Sequence, residues 1–235
     1  MPSKDSKKTI LVSFAHPDDA EFGCAGSVAK WVQEGSEVYY LVATNGDKGS
    51  EDPKATSDEL GKIRRTEQEE AAKILGVKEV FFLDHPDTEL EANLELKEEI
   101  TRVIRKVKPN LVVTFDPAFL YSKTGYVNHT DHRAIGVATL DAVMPLARDR
   151  LTFPDHERQG LKPHRVEEVY LWNFEEQDTF VDISDTFDKK IAALKAHRSQ
   201  ISDEFIEMIK IWNSEAGEKI GSKYAEGFKK LVLSF

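Results

Sequence analysis

The sequence contains a single cysteine, Cys24, and no apolar run long enough to span a bilayer. One cysteine excludes an internal disulfide and suits a reducing compartment. The first apolar run, residues 10–15, follows the polar, lysine-rich opening MPSKDSKKTI. It is too short for a signal-peptide core or a membrane span, so the expectation is a cytoplasmic protein without membrane insertion. Basic charge is also scarce: 32 Lys and Arg against 42 Asp and Glu leave a net charge of −10. That balance argues against a nucleic-acid partner or an anionic membrane surface. Internal repeats, linkers and low-complexity segments are absent. With 235 residues, 40% hydrophobic and 31% charged, the chain is read as one domain, 1–235, able to bury a sizeable core. The acidic surface leaves room for a homo-oligomer.

What is present alternates regularly. TILVSFA (9–15) is a continuous β-branched run, as in a strand buried on both faces. Phe22, Ala25, Val28, Ala29 and Val32 then recur at helical spacing, with Gly35 as a stop. Strands are predicted at 37–44, 79–84 and 111–116, and helices over 59–75, ending at Gly76, and 91–107. A polar loop (117–130) leads to a helix, DHRAIGVATLDAVMPLA, with Pro145 inside it. The last third is less regular. An exposed loop is expected over 148–165, then short strands from VEEVYLWNF and TFVDIS. An amphipathic helix with Asp185 as N-cap follows, and a final helix near 222–232. This alternation predicts an α/β fold: a Rossmann-like, mostly parallel sheet with helices on both faces and an irregular C-terminal third.

In such sheets ligands bind at the carboxyl ends of the strands, and polar residues collect there. His16, Asp18 and Asp19 follow the first strand, Thr44 and Asp47 the second, Asp84 to Asp87 the third, and Asn128, His129, Asp131 and His132 the fourth. The turn HPDDAE holds more carboxylates than a helix start requires. Asp18 or Asp19 as a plain helix cap, with Glu21 at the positive helix end, is the bland reading. Pro17 stiffens the turn, however, and a rigid imidazole near a carboxylate suits a metal better.

A catalytic zinc needs three protein ligands and one open position. His16-x-x-Asp19 supplies two, and HTDH (129–132) offers His129 or His132 as the third, leaving the other to face substrate. With Asp19 as ligand, Asp18 is free to act as general base toward water that zinc activates. A protonated His129 would stabilise a developing oxyanion, with Asp131 holding it charged.

AHPDDAEFGCAG and HTDHR resemble the LmbE/PIG-L-like zinc deacetylases, which remove acetyl groups from N-acetylglucosamine units. The similarity extends in order through TNGDKGS, RRTEQEEAAKILGV, DHPDTEL, KAHRSQ and YAEGF, nearly the whole chain. The resemblance implies zinc on His16, Asp19 and His132, Asp18 as base, and His129 as the oxyanion-stabilising acid. It also implies that Arg64 and Asp87 line a sugar pocket. Their bland alternatives are an i,i+3 pair of Arg64 with Glu67 and a turn role for Asp87. Thr88 stands where a glycine commonly follows the aspartate, and Asp47 where a glutamate is usual. His197 matches a C-terminal motif, with a packing role as its alternative, and Cys24 is read as a small buried residue.

The expected activity is zinc-dependent hydrolysis of an N-acetyl group on an amino-sugar substrate. Fe, Co or Mn would also suit a His2Asp set. Two alternatives use the same site, an amidase on a thiol-sugar conjugate and a carbohydrate esterase. A non-catalytic nucleotide-binding module lacks its phosphate-cradling glycine loop, since GCAG falls inside a helix.

Overall fold

The apolar runs of the first half become parallel strands: β1 (Thr9–Phe14), β2 (Glu37–Thr44), β3 (Glu79–His85) and β4 (Leu111–Phe115). The computed structural model describes residues 7–234. All of β4 and all but the first residue of β1 are buried, which explains their unbroken apolar character. Between the strands run α1 (Asp19–Gln33), α2 (Ser57–Leu75) and α3 (Leu94–Val107), and α4 (Thr130–Asp141) follows β4. Thr56 and Asn93 cap α2 and α3 through their side chains, and Gly76 ends α2 with φ 82°. Later come β5 (Glu168–Trp172), β6 (Thr179–Asp182) and β7 (Ala225–Val232).

The sheet order is β3-β2-β1-β4-β5-β7-β6. The first five of these strands are parallel, and β7 is antiparallel to both β5 and β6. The chain walks outward from β1 to β3, then returns to place β4 on the other side of β1. Right-handed crossovers therefore put α1 and α2 on one face and α3 on the other. The α/β expectation is borne out, and β1/β4 is the switch point beside which such sheets bind ligands. Among the described residues no helix is long and apolar enough to cross a membrane.

Several local expectations need correction. The helix expected to run through Pro145 stops at Asp141 and passes into a π-helical turn (Ala142–Leu146). Pro145 has no N–H to continue the α-helix, and the buried Arg105 guanidinium takes the carbonyls of Leu146, Ala147 and Asp149 instead. The 148–165 loop contains a short helix, α5 (Pro154–Arg158), and fully buries His156 beside Phe153. The amphipathic helix is α6 (Phe187–Leu194), and its N-cap position is Thr186 in place of Asp185. That hydroxyl donates to Gly26 O at 2.8 Å, tying α6 to α1.

No helix forms near 222–232; that stretch is β7. Ala225 to Phe228 are buried and pair with β6, while Lys229 to Val232 pair with β5, so sheet pairing overrides helical spacing. A helix the sequence reading missed, α7 (Asp203–Glu218), precedes it, capped by Ser202 and burying Ile206 and Ile209.

Candidate metal and catalytic site

β1 runs straight into the turn His16-Pro17-Asp18-Asp19. Thr44, at the end of β2, pins its entry by donating from both N–H and Oγ1 to Ala15 O. His16 N–H donates to Asp19 Oδ2 at 2.7 Å, which turns that carboxylate back toward the imidazole. Neither aspartate caps α1: Asp18 occupies the N-cap position without a side-chain bond to the helix. Asp18 instead sits at φ 107°, ψ −26°, a left-handed conformation costing a non-glycine residue about 1–3 kcal/mol. Its N–H donates to Gln68 Oε1 at 3.0 Å, and Arg64 Nη2 donates to both Pro17 O and Asp18 Oδ2.

α4 starts across the switch point and brings His132 to this turn. His132 Nε2 lies 3.3 Å from His16 Nδ1 and 3.3 Å from Asp19 Oδ1, and His16 Nδ1 lies 3.2 Å from Asp19 Oδ2. Tetrahedral zinc with ligands at 2.0–2.1 Å separates them by about 3.3–3.4 Å, the spacing of the two nitrogens from each other and of each from one of the two Asp19 oxygens. The remaining ring nitrogens are held. His16 Nε2 faces Asp87 Oδ1 at 3.1 Å and Asp131 Oδ2 at 3.2 Å, and His132 Nδ1 faces Asn128 Oδ1 at 3.1 Å. Such partners fix the orientation of metal-binding imidazoles. Phe115 stacks on His132 with centroids 3.9 Å apart.

Charge follows this geometry. Burial opposes charging of His16, but Asp19, Asp131 and Asp87 together raise the imidazole well above its ordinary range. Asp19 is held well below the carboxylate range by His132 and His16 against the cost of burial. Asp18 moves the other way: burial raises its carboxyl, Asp19 adds to the rise, and Arg64 opposes it. Asp87 is lowered to about 2, where the His16 hydrogen bond and nearby positive charge outweigh burial.

His129 lies in the same cluster, its ring nitrogen within 4.8 Å of those of His16 and His132. It caps α4, with Nδ1 accepting Asp131 N–H at 3.2 Å. The Asp131 carboxylate does not hydrogen-bond it, lying 4.0 Å from Nδ1. Its oxygens are taken by His16 and by the N–H groups of Thr88 and Leu90. Burial and the charges of His16 and His132 lower the His129 imidazole below its usual value. With Nδ1 accepting, the neutral ring carries its proton on Nε2.

A cavity of about 680 Å³ opens beside Asp18, Asp19 and His132. Its walls include Phe22, Tyr126, Trp172, Phe174, Phe205 and Trp212. Phe22 lies 5.0 Å from Trp172, 5.5 Å from Phe205 and 5.7 Å from Trp212, centroid to centroid, so the wall is one packed aromatic surface.

The family model PIG-L, GlcNAc-PI de-N-acetylase, matches residues 11–143 of this sequence. The chain belongs to the PIG-L family. Among the relatives of this PIG-L protein is diacetylchitobiose deacetylase of Thermococcus kodakarensis. It is 34% identical over 236 residues, covering 97% of this chain and 84% of that protein. The 1D-myo-inositol 2-acetamido-2-deoxy-alpha-D-glucopyranoside deacetylase of Saccharomonospora viridis is 31% identical, covering 82% of this chain and 85% of its own length. In structure, N,N'-diacetylchitobiose deacetylase from Pyrococcus horikoshii matches with a TM-score of 0.89 at 33% identity, covering 98% of this chain and 86% of that one.

Arg64 of the PIG-L chain does not pair with Glu67. Its side chain is 5% exposed and spends Nη1 on Gly46 O and Nη2 on the Pro17-Asp18 turn. Glu67 instead accepts Ser199 N–H and Oγ–H. Asp47 holds Asp87 in place by accepting its N–H at 3.1 Å. Thr88 has φ 66°, a left-handed backbone in which a β-branched residue is strained and glycine is not.

Glu21 does not serve the helix start as expected; it is fully buried and accepts from Gln68 Nε2 and faces His197 Nε2, each at 3.1 Å. His197 is equally buried, and Glu21 raises its imidazole against the cost of burial. Cys24 is fully buried, which pushes its thiol up. The sequence reading missed the aromatic wall. Its one signal was Trp172 and Phe174 at the carboxyl end of a strand parallel to β4.

Proposed function

We propose that this protein is a zinc-dependent N-deacetylase that releases acetate and a free amine from an N-acetylglucosamine-containing sugar or conjugate. The observation that carries the reading is the His16–Asp19–His132 triangle, whose edges suit one tetrahedral ion and leave a position open toward the cavity. The family and the deacetylase activities for which its relatives are named agree with it. His16, Asp19 and His132 would hold the metal. Bound there, zinc supplies Lewis-acid polarisation of the acetamide carbonyl and lowers the pKa of water.

The protein's own groups do the rest. Asp18, beside the triangle and raised by burial, accepts the proton that attacking water gives up, while Arg64 fixes its direction. His129 donates Nε2–H toward the carbonyl oxygen as charge grows on it, and as a neutral donor it needs no ion pair with Asp131. Collapse breaks the C–N bond, and the proton held by Asp18 goes to the departing nitrogen. Asp87 and Asp131 keep His16 oriented. The cavity has room for a disaccharide-sized ligand, and its aromatic wall offers faces for sugar rings. The substrate is thus a small amino-sugar compound, and a cytoplasmic location goes with this reading.

The test is acetate release from N-acetylglucosamine, diacetylchitobiose and an inositol conjugate, with metal analysis of the purified protein. Turnover of at least one, abolished by a chelator and restored by zinc, is the expected result. A protein that binds no divalent metal sinks the reading.

A further inference from the structure

Glu21, Gln68 and His197 are completely buried, and none has a part in the chemistry above. They form one chain of contacts ending at the base. His197 Nε2 faces Glu21 Oε2 at 3.1 Å, Gln68 Nε2 donates to the same oxygen at 3.1 Å, and Gln68 Oε1 accepts the Asp18 N–H at 3.0 Å. A carboxylate only accepts, so Glu21 dictates which end of the Gln68 carboxamide points at it. The oxygen is then left facing Asp18. Reversed, the carboxamide would set N–H against N–H.

Asp18 depends on that oxygen. Its left-handed backbone persists only where surrounding contacts over-determine it. The far end of the chain is anchored as well: Ser199 N and Oγ donate to Glu67 at 2.9 and 2.7 Å, fixing the 197–200 segment to α2, which carries Gln68. A buried carboxylate without a hydrogen-bonded partner is costly and turns or neutralises. Glu21 Oε2 has two, His197 Nε2 and Gln68 Nε2, so without His197 the buried carboxylate keeps only the Gln68 donor and is free to turn.

We propose that His197 is a positioning residue for Asp18: it holds Glu21, Glu21 orients the Gln68 carboxamide, and Gln68 fixes the backbone of the base. The inference rests on the N-deacetylase reading for its kinetic arm only.

Gln68→Met keeps side-chain length and removes both hydrogen bonds. It should lower kcat by roughly 10²-fold, the scale of a 1 Å misplacement, with KM and bound metal near the wild-type values. In an Asp18→Asn background the same change should cost nothing further, because the group it positions is already lost. His197→Phe should behave like Gln68→Met, whereas His197→Gln, which retains a donor for Glu21, should recover most of the activity. An equal loss in the Asp18→Asn background, or no loss in the single variant, overturns the inference. Amide hydrogen exchange at Asp18, followed by NMR, reads the backbone without turnover. Exchange should quicken at least about tenfold in Gln68→Met and His197→Phe, and unchanged exchange overturns the inference whatever the activity. Failure of the wild type to release acetate overturns the functional reading alone.

Discussion

Lys190→Met tests the buried anchor that joins α1, α6 and β7. The Lys190 ammonium and Glu226 carboxylate meet at 2.6 Å, and each side chain is only 1% exposed. Lys190 also donates to Phe22 O at 2.7 Å, and Glu226 accepts the N–H groups of Gly26 and Ser27 at 3.0 and 2.7 Å. α1 is kinked at Cys24, with φ −150°, so this carboxylate caps its second half from another strand. Methionine fills the space of the lysine stem, so the cavity cost is small. What is lost is the counter-charge, for which removing one partner of a buried pair costs about 3–5 kcal/mol. The two backbone N–H donors still solvate Glu226, which favours the lower end, about 3 kcal/mol. For a chain of this size that is a fall in Tm of about 6–12 °C. Scanning calorimetry reads it directly, and adding Glu226→Gln should restore part of the loss by removing the stranded charge. A single variant within about 2 °C of the wild type, well under that range, would refute the reasoning.

Four further outcomes are expected. Asp18→Asn should lose about 10²–10⁴-fold in kcat and retain its metal, measured by turnover and elemental analysis. His16→Ala and His132→Ala should each lose the metal itself, so that added zinc fails to restore turnover. Burial raises Glu168, but Lys230 and Lys8 hold it below its ordinary value. Its contribution is therefore present above the unfolded pKa of about 4.3 and lost as pH falls through the folded value. Glu168→Gln should be less stable than the wild type at pH 7 by about 1 kcal/mol, a gap that urea titrations should find closing toward pH 3. Trp212→Ala should raise KM for a disaccharide substrate more than it lowers kcat, as expected for a wall that binds without reacting.

The two halves of the candidate site were legible because each is local. His16 and Asp19 share one turn, and His129 to His132 share one helix start, so spacing alone restricts their geometry. The parallel half was legible for a related reason: strands buried on both faces advertise themselves as unbroken apolar runs. Contacts between distant segments were not legible. Asp131 sits two residues from His129 yet serves His16, because the chain turns its carboxylate toward the 88–90 turn. Glu21 had the position of a helix-start residue, but its partners, Gln68 and His197, come from elsewhere in the chain. The apolar residues of 222–232 also fit a helix, and only the open edges of β5 and β6 decide for a strand.

The placement of β7 also sets an order of assembly. Among the described residues β6 pairs with the rest of the sheet only through β7, which follows it in sequence by way of α6 and α7. As the chain emerges from the ribosome, β1 to β5 can pair in succession, while β6 has no neighbour and β5 shows an unprotected edge. Lys190 meanwhile has no counter-ion, since Glu226 arrives on β7. Docking that one strand covers the edge, enlists β6 and neutralises the lysine together. The antiparallel end should therefore form late and in a single step, and the interval before it is when the nascent chain is most exposed to association with its own copies.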